Sequence, residues 1–171
     1  KSDQFEFLVM YGRRRVGKTT ILQKFASRHK VIFYSAQEKN DSLNLQDFSQ
    51  AVQQALDGQF IAPFPSWKEA FSHITKKTQS GRTVLIIDEF PFMAGTNPSI
   101  KSILQHEIDH EWSKKKILLI LCGSSVSFMI NQIMGYESLL YGRTTSVMEI
   151  LPFDCLDSGK FFPLYSNEEK L

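Results

Sequence analysis

The segment Gly12-Arg13-Arg14-Arg15-Val16-Gly17-Lys18-Thr19 constrains this chain more than any other feature. It matches the pattern G-x-x-x-x-G-K-[ST], in which a strand runs into a glycine-bounded turn and the turn opens a helix. The flanks agree: Phe7 to Tyr11 reads as an apolar strand. From Lys18 to about Arg28, Ile21, Leu22, Phe25 and Ala26 fall on one side of a helix. Such a turn points successive backbone N–H groups inward and adds the positive end of a helix dipole, so it cradles phosphate oxygens. In this pattern the lysine reaches the β- and γ-phosphates of a nucleoside triphosphate and the hydroxyl after it ligates magnesium. Lys18 and Thr19 take those roles. The candidate nucleotide contacts are Gly12, Arg13, Arg14, Arg15, Val16, Gly17, Lys18, Thr19 and Thr20. The three arginines read as solvated positions around the phosphates.

A second apolar strand, Val84 to Ile87, ends in Asp88-Glu89. Two acids at a strand end also read as ordinary solvent-facing residues; the cradle upstream changes that, because parallel strands deliver their functional groups at their carboxyl ends. Asp88 would emerge beside Thr19 and hold magnesium with it, and Glu89 would orient or polarise the water that attacks the γ-phosphate. There is no N-K-x-D guanine-reading element, which argues against a GTPase. A small-molecule kinase stays open as an alternative, although the acceptor pocket and phosphate-clamping lid it would need are not visible in the sequence.

Between these segments strands and helices alternate, the mark of a mostly parallel α/β sheet covered on both faces. Strands are expected at Val31–Tyr34, Ile117–Leu121 and Val147–Leu151. Leu45, Phe48, Val52, Ala55 and Leu56 have helical spacing, and a helix opens at Ser66, three residues before Glu69, as in a capping box. Asn97-Pro98 reads as a helix start, with Ile100, Ile103, Leu104 and Ile108 on its buried face, and a short helix is expected from Ser125 to Met134. The 171 residues suffice for one core. No apolar run is long enough for a membrane span, the opening Lys-Ser-Asp is not a signal peptide, and two cysteines make no disulfide framework; a cytoplasmic protein without membrane contact is expected. The net charge of +2 decides little by itself; basic residues cluster at Arg13-Arg14-Arg15 and Lys114-Lys115-Lys116, but a domain built to grip duplex DNA usually carries a larger and more lopsided basic excess.

Three further segments admit two readings each. In Cys122-Gly123-Ser124-Ser125, Ser124 or Ser125 would bond the γ-phosphate or the attacking water, or a serine would cap the following helix. Arg143 would act as an arginine finger in a neighbour's site, or form a local salt bridge. His106-Glu107-Ile108-Asp109-His110 matches the zinc-protease pattern H-E-x-x-H, yet a P-loop sheet accounts for the rest of the chain, and chance is the better reading.

Together, Tyr11 to Thr19, Ile86-Ile87-Asp88-Glu89-Phe90-Pro91, Cys122 to Ser125 and Leu140-Tyr141-Gly142-Arg143 resemble the archaeal-type AAA+ ATPase family, P-loop proteins related to the STAND ATPases. Trp67 in Ser66-Trp67-Lys68-Glu69-Ala70 and Leu151-Pro152-Phe153 resemble it too. The resemblance implies a three-layer sandwich around a parallel five-stranded sheet in the order 5-1-4-3-2. It also implies ATP and Mg2+ as cofactors, Glu89, Lys18, Ser124 and Arg143 as catalytic residues, and Thr19 and Asp88 as metal ligands. Residues 1–155 would form the ATPase core, and 156–171 the start of a C-terminal lid. The expected function is magnesium-dependent ATP hydrolysis; the alternative is a low-turnover nucleotide-dependent switch or scaffold. Expected partners are a second copy or another protein, with nucleic acid reached only through further C-terminal domains.

Overall fold

The computed structural model describes residues 4–78, 81–154 and 157. The chain runs through β1 (Glu6–Tyr11), α1 (Lys18–Ala26), β2 (Ile32–Ser35), α2 (Asp41–Asp57), α3 (Trp67–Lys77) and β3 (Thr83–Asp88). It continues through α4 (Phe90–Thr96), α5 (Ile100–His110), β4 (Ile117–Gly123), α6 (Val126–Phe128) with a π turn over Met129–Met134, and β5 (Ser146–Glu149). The strands form one parallel sheet in the order β2-β3-β4-β1-β5, which is the expected 5-1-4-3-2 read from the other edge.

Successive strand side chains point to opposite faces, so unbroken apolar runs feed two cores. Along β4, Ile117, Leu119 and Leu121 enter one cluster while Ile120 and Cys122 enter the other. The faces are unequal. The larger cluster takes Phe48 and Val52 of α2, Trp67, Phe71 and Ile74 of α3, and Leu104 and Ile108 of α5. The smaller is covered by α1 through Leu22 and the half-buried Phe25. The expected stripe on α1 is therefore narrower than its sequence suggested: Ile21 is 44% exposed.

Local signals set most boundaries. Ser66 caps α3 by accepting the Glu69 N–H (3.2 Å), and Asn40 caps α2 by accepting that of Leu43 (2.9 Å). Some expectations are corrected. Helix α1 stops at Ala26, short of Arg28, and β5 spans Ser146–Glu149 rather than Val147–Leu151. Asn97-Pro98 does not begin α5: Asn97 closes α4, its side chain accepts the Ser99 N–H (3.1 Å), and α5 starts at Ile100. Helix α4 was not anticipated, although Phe90, Met93 and Ala94 bury at i, i+3 and i+4. The continuous helix expected over 125–134 is a single α turn followed by the π turn. The lid segment, 156–171, and Cys155 lie outside the described residues apart from Asp157.

Gly123 lets the end of β4 meet α4 and the π turn. A Cβ there would lie 2.7 Å from Met129 Sδ and 2.8 Å from Pro91 Cδ. Gly123→Ala is therefore expected to lower unfolding stability by about 1–3 kcal/mol through overpacking, read by denaturant titration. An unchanged midpoint would mean that Pro91 and Met129 yield freely.

Candidate functional site

Strand register gathers the chemistry at one edge of the sheet. Tyr11 pairs with Gly123 across β1 and β4, and Ile87 with Leu121 across β3 and β4. The turn after β1, the acids at the end of β3 and the serines after β4 consequently leave the sheet side by side, where open parallel sheets bind ligands. Here a cavity of about 500 Å3 opens. Arg14, Arg15, Gly17, Lys18, Thr19 and Thr20, from the turn and the start of α1, line it together with Glu38, Glu89, Phe92 and Ser124. Gly12, Arg13, Val16 and Asp88 support its walls rather than line them.

The turn itself explains its glycines. A Cβ on Gly12 would lie 2.2 Å from the Ile150 carbonyl oxygen, and Gly17 has φ +93°, which an L side chain resists. No side chain caps α1 and no acid occupies its first turn, so the dipole and free N–H groups of its N-terminus are left for an anion. Lys18 is buried, and its Nζ donates to the carbonyls of Gly12 (2.9 Å) and Arg13 (2.7 Å). Those two bonds hold the ammonium at the cavity wall. Arg13, Arg14 and Arg15 are exposed, as expected.

Thr19 Oγ1 donates to Asp88 Oδ2 (2.7 Å), and Asp88 Oδ1 accepts the Glu89 N–H (3.0 Å). A hydroxyl and a carboxylate are the oxygen donors a hard cation takes. Among the described residues no group of three or more His, Cys, Asp or Glu side chains could hold a metal. A sparse oxygen pair suits magnesium, which keeps several waters and is completed by substrate phosphates. Below the pair, burial and then Asp88 push the Cys122 thiol up, which leaves it an unreactive core residue.

Glu89 lies at the N-cap of α4 with φ 51° and ψ 42°, a left-handed backbone that costs a non-glycine residue about 1–3 kcal/mol. Its Oε2 accepts both the backbone N–H (3.1 Å) and the hydroxyl (2.9 Å) of Ser124. Neither serine side chain caps the helix: Ser124 is turned to Glu89, and Ser125 occupies the cap position without a side-chain bond.

Arg143 does not line the cavity. Its Nε and Nη2 grip both oxygens of Asp109 on α5 (2.7 and 2.6 Å), and Nη1 donates to the carbonyls of Leu139 and Tyr141. The guanidinium bond holds the Asp109 carboxyl below its ordinary range. The local pair is what forms within this chain.

Among the described residues the H-E-x-x-H segment belongs to no group of three or more His, Cys, Asp or Glu side chains that could hold a metal. The His106 and His110 rings meet at a tilt of 50° with centroids 4.5 Å apart, while Glu107 turns into the core and accepts from Thr75 Oγ1 (3.1 Å), which also accepts from Trp112 Nε1. Burial raises the Glu107 carboxyl above its ordinary value. A raised carboxyl binds its proton more tightly folded than unfolded, so its contribution is fully present below the unfolded value and is lost as pH rises through the folded one. Glu107→Gln is expected to remove that loss, so its unfolding temperature exceeds that of wild type by more at pH 7 than at pH 4, read by thermal scans. A lower unfolding temperature at pH 7 would show that the ionised form is the stabilising one.

Sequence reasoning missed Glu38 and Phe92. Glu38 carries no motif; the available signal was positional, since it follows a strand that neighbours β3. Phe92 belongs to the unanticipated α4.

Comparisons with known proteins agree with this geometry. Residues 1–170 match the family described as ATPase domains predominantly from Archaea. An uncharacterized protein of Methanocaldococcus jannaschii is 33% identical over 162 residues, covering 95% of this chain and 35% of that protein. Among solved structures, a Walker-type ATPase of Pyrococcus abyssi superposes with a TM-score of 0.72 at 20% identity, over 92% of this chain and 52% of that one. The Aeropyrum pernix ORC1 protein, solved in complex with DNA, gives 0.59 at 16% identity, over 92% and 42%. These likenesses share the fold, and this chain spans only about a third to a half of the relatives' length. Among the described residues no helix is long and apolar enough to cross a membrane. With the parallel sheet, the glycine-bounded turn and the acid pair in place, the chain belongs to the family of ATPase domains found predominantly in Archaea.

Proposed function

We propose that residues 1–155 form a core that binds ATP with magnesium and hydrolyses its β–γ phosphoanhydride. The observation that carries this is the convergence of Lys18, the Thr19–Asp88 pair and the Glu89–Ser124 pair on one cavity. Positioning and electrostatics supply most of such catalysis. Lys18, already held at the wall, presents its charge to the β- and γ-phosphates. Thr19 and Asp88 would hold magnesium, which neutralises charge on the transferring phosphoryl group. Glu89 has one oxygen fixed by Ser124, and among the described residues no donor engages the other, Oε1. That oxygen can accept from the attacking water and take its proton.

A low-turnover switch is the second reading, and two contacts favour it. Ser124 occupies part of the Glu89 carboxylate, and Asp109 occupies Arg143. Action of Arg143 on a neighbouring site would first require its release from Asp109. A second copy or a protein partner is the natural means of release. Nucleic acid would act through domains beyond this core.

Calorimetric titration with a non-hydrolysable ATP analogue, with and without magnesium and beside GTP, tests the proposal. Magnesium-enhanced binding of the ATP analogue is expected. Absence of binding overturns both readings; tight binding of the analogue beside no phosphate release from ATP in a separate assay selects the switch.

A further inference from the structure

We propose that Glu38 is a second magnesium-directed carboxylate of this site beside Asp88, acting through the ion's water shell. The inference rests on the nucleotide reading above and extends it to a residue outside the two motifs.

Strand register brings Glu38 to the site. Ser35, the last residue of β2, pairs with Asp88, and the next backbone N–H, of Ala36, donates to the Asp88 carbonyl (2.9 Å). The loop bearing Glu38 thus begins bonded to the residue that faces Thr19. It is then braced from below. Asn44 of α2 is fully buried, and its Nδ2 donates to the carbonyls of Gln37 and Lys39 (3.1 Å each). Its Oδ1 accepts the Gln37 N–H (3.2 Å) and the Tyr34 hydroxyl (2.7 Å). The residues on either side of Glu38 are therefore tied to one buried amide. Such a loop presents a side chain in a fixed place at little further entropic cost.

What it presents is an acid on the wall of an anion cavity. Glu38 is exposed, lines the same cavity as Thr19 and Thr20, and forms no ion pair among the described residues. A carboxylate facing a triphosphate is repelled unless a cation lies between them. Thr19 and Asp88 are the donors on which such a cation would rest, and magnesium retains waters that a nearby carboxylate can accept from. Glu38 therefore raises the affinity for the magnesium complex relative to the free nucleotide, and so separates the two.

The test compares wild type with Glu38→Gln in calorimetric titrations of a non-hydrolysable ATP analogue, in excess magnesium and in excess chelator. Groups that orient a metal's ligands or waters typically contribute about tenfold or more in metal affinity. The expected result is a magnesium enhancement reduced about tenfold, with affinity in chelator unchanged or tighter because a like charge has gone. An unchanged magnesium enhancement overturns the inference, as does an equal loss of affinity in both solutions. Wild type that binds in neither solution overturns the nucleotide reading and this inference with it, so the two failures are told apart by the unmutated protein. Because Glu38 is exposed, thermal unfolding of the variant should match wild type.

Discussion

Glu89→Gln is expected to bind ATP as wild type does and to turn it over about 10²–10⁴-fold more slowly, the usual contribution of a positioned general base. The substitution keeps the shape of the side chain and an oxygen that can still accept from Ser124 N–H and Oγ. The strained cap of α4 and the packing of Phe90 and Met93 beneath it should survive. What is lost is the basicity of the oxygen facing the cavity. Steady-state phosphate release, paired with the binding titration, separates these effects: unchanged affinity with lost turnover marks an interaction made in the transition state. Turnover at the wild-type rate would remove Glu89 from the mechanism. A parallel loss of affinity would instead give it a structural role at the head of α4.

Lys18→Ala should reduce nucleotide affinity by about 10²-fold or more. Hydrogen bonds to charged groups are each worth about 1.5–3 kcal/mol, and this ammonium is placed to reach phosphate oxygens from within a buried wall. Its removal also frees the carbonyls of Gly12 and Arg13, so a modest loss of stability accompanies it. The helical signal in circular dichroism should remain, since α1 draws its packing on the sheet from Leu22, one turn further along the helix. Unchanged affinity in a folded variant would sink the phosphate-cradle assignment.

Gly12 to Thr19 was legible in the sequence because the turn's chemistry is local: spacing alone fixes which N–H groups converge and where the helix begins. Asp88 and Glu89 were legible because they end an unbroken apolar run, and in a parallel sheet that end is the one beside the phosphate cradle. Ser124 was legible as a position but not as a contact. Whether its hydroxyl capped a helix or met Glu89 depended on the side-by-side exit of β3 and β4, a relation between residues 35 apart in sequence. Arg143 was similarly undecided until α5 brought Asp109 against it, 34 residues away.

The sequence by itself determined the alternation of elements, the glycine-bounded turn before α1 and the residue types beside it, because strand periodicity, glycine freedom and helix N-termini act over a few residues. Tertiary structure decided the partners. Parallel pairing of β2 with β3 brought Glu38 to the cavity that Glu89 lines, the side-by-side exit of β3 and β4 let Ser124 bond Glu89, and packing of α3 against α5 turned Glu107 of the H-E-x-x-H segment into the core. Hydrogen bonds between distant side chains carry no local periodicity, so they become readable only when the sheet order has fixed which strand ends are neighbours.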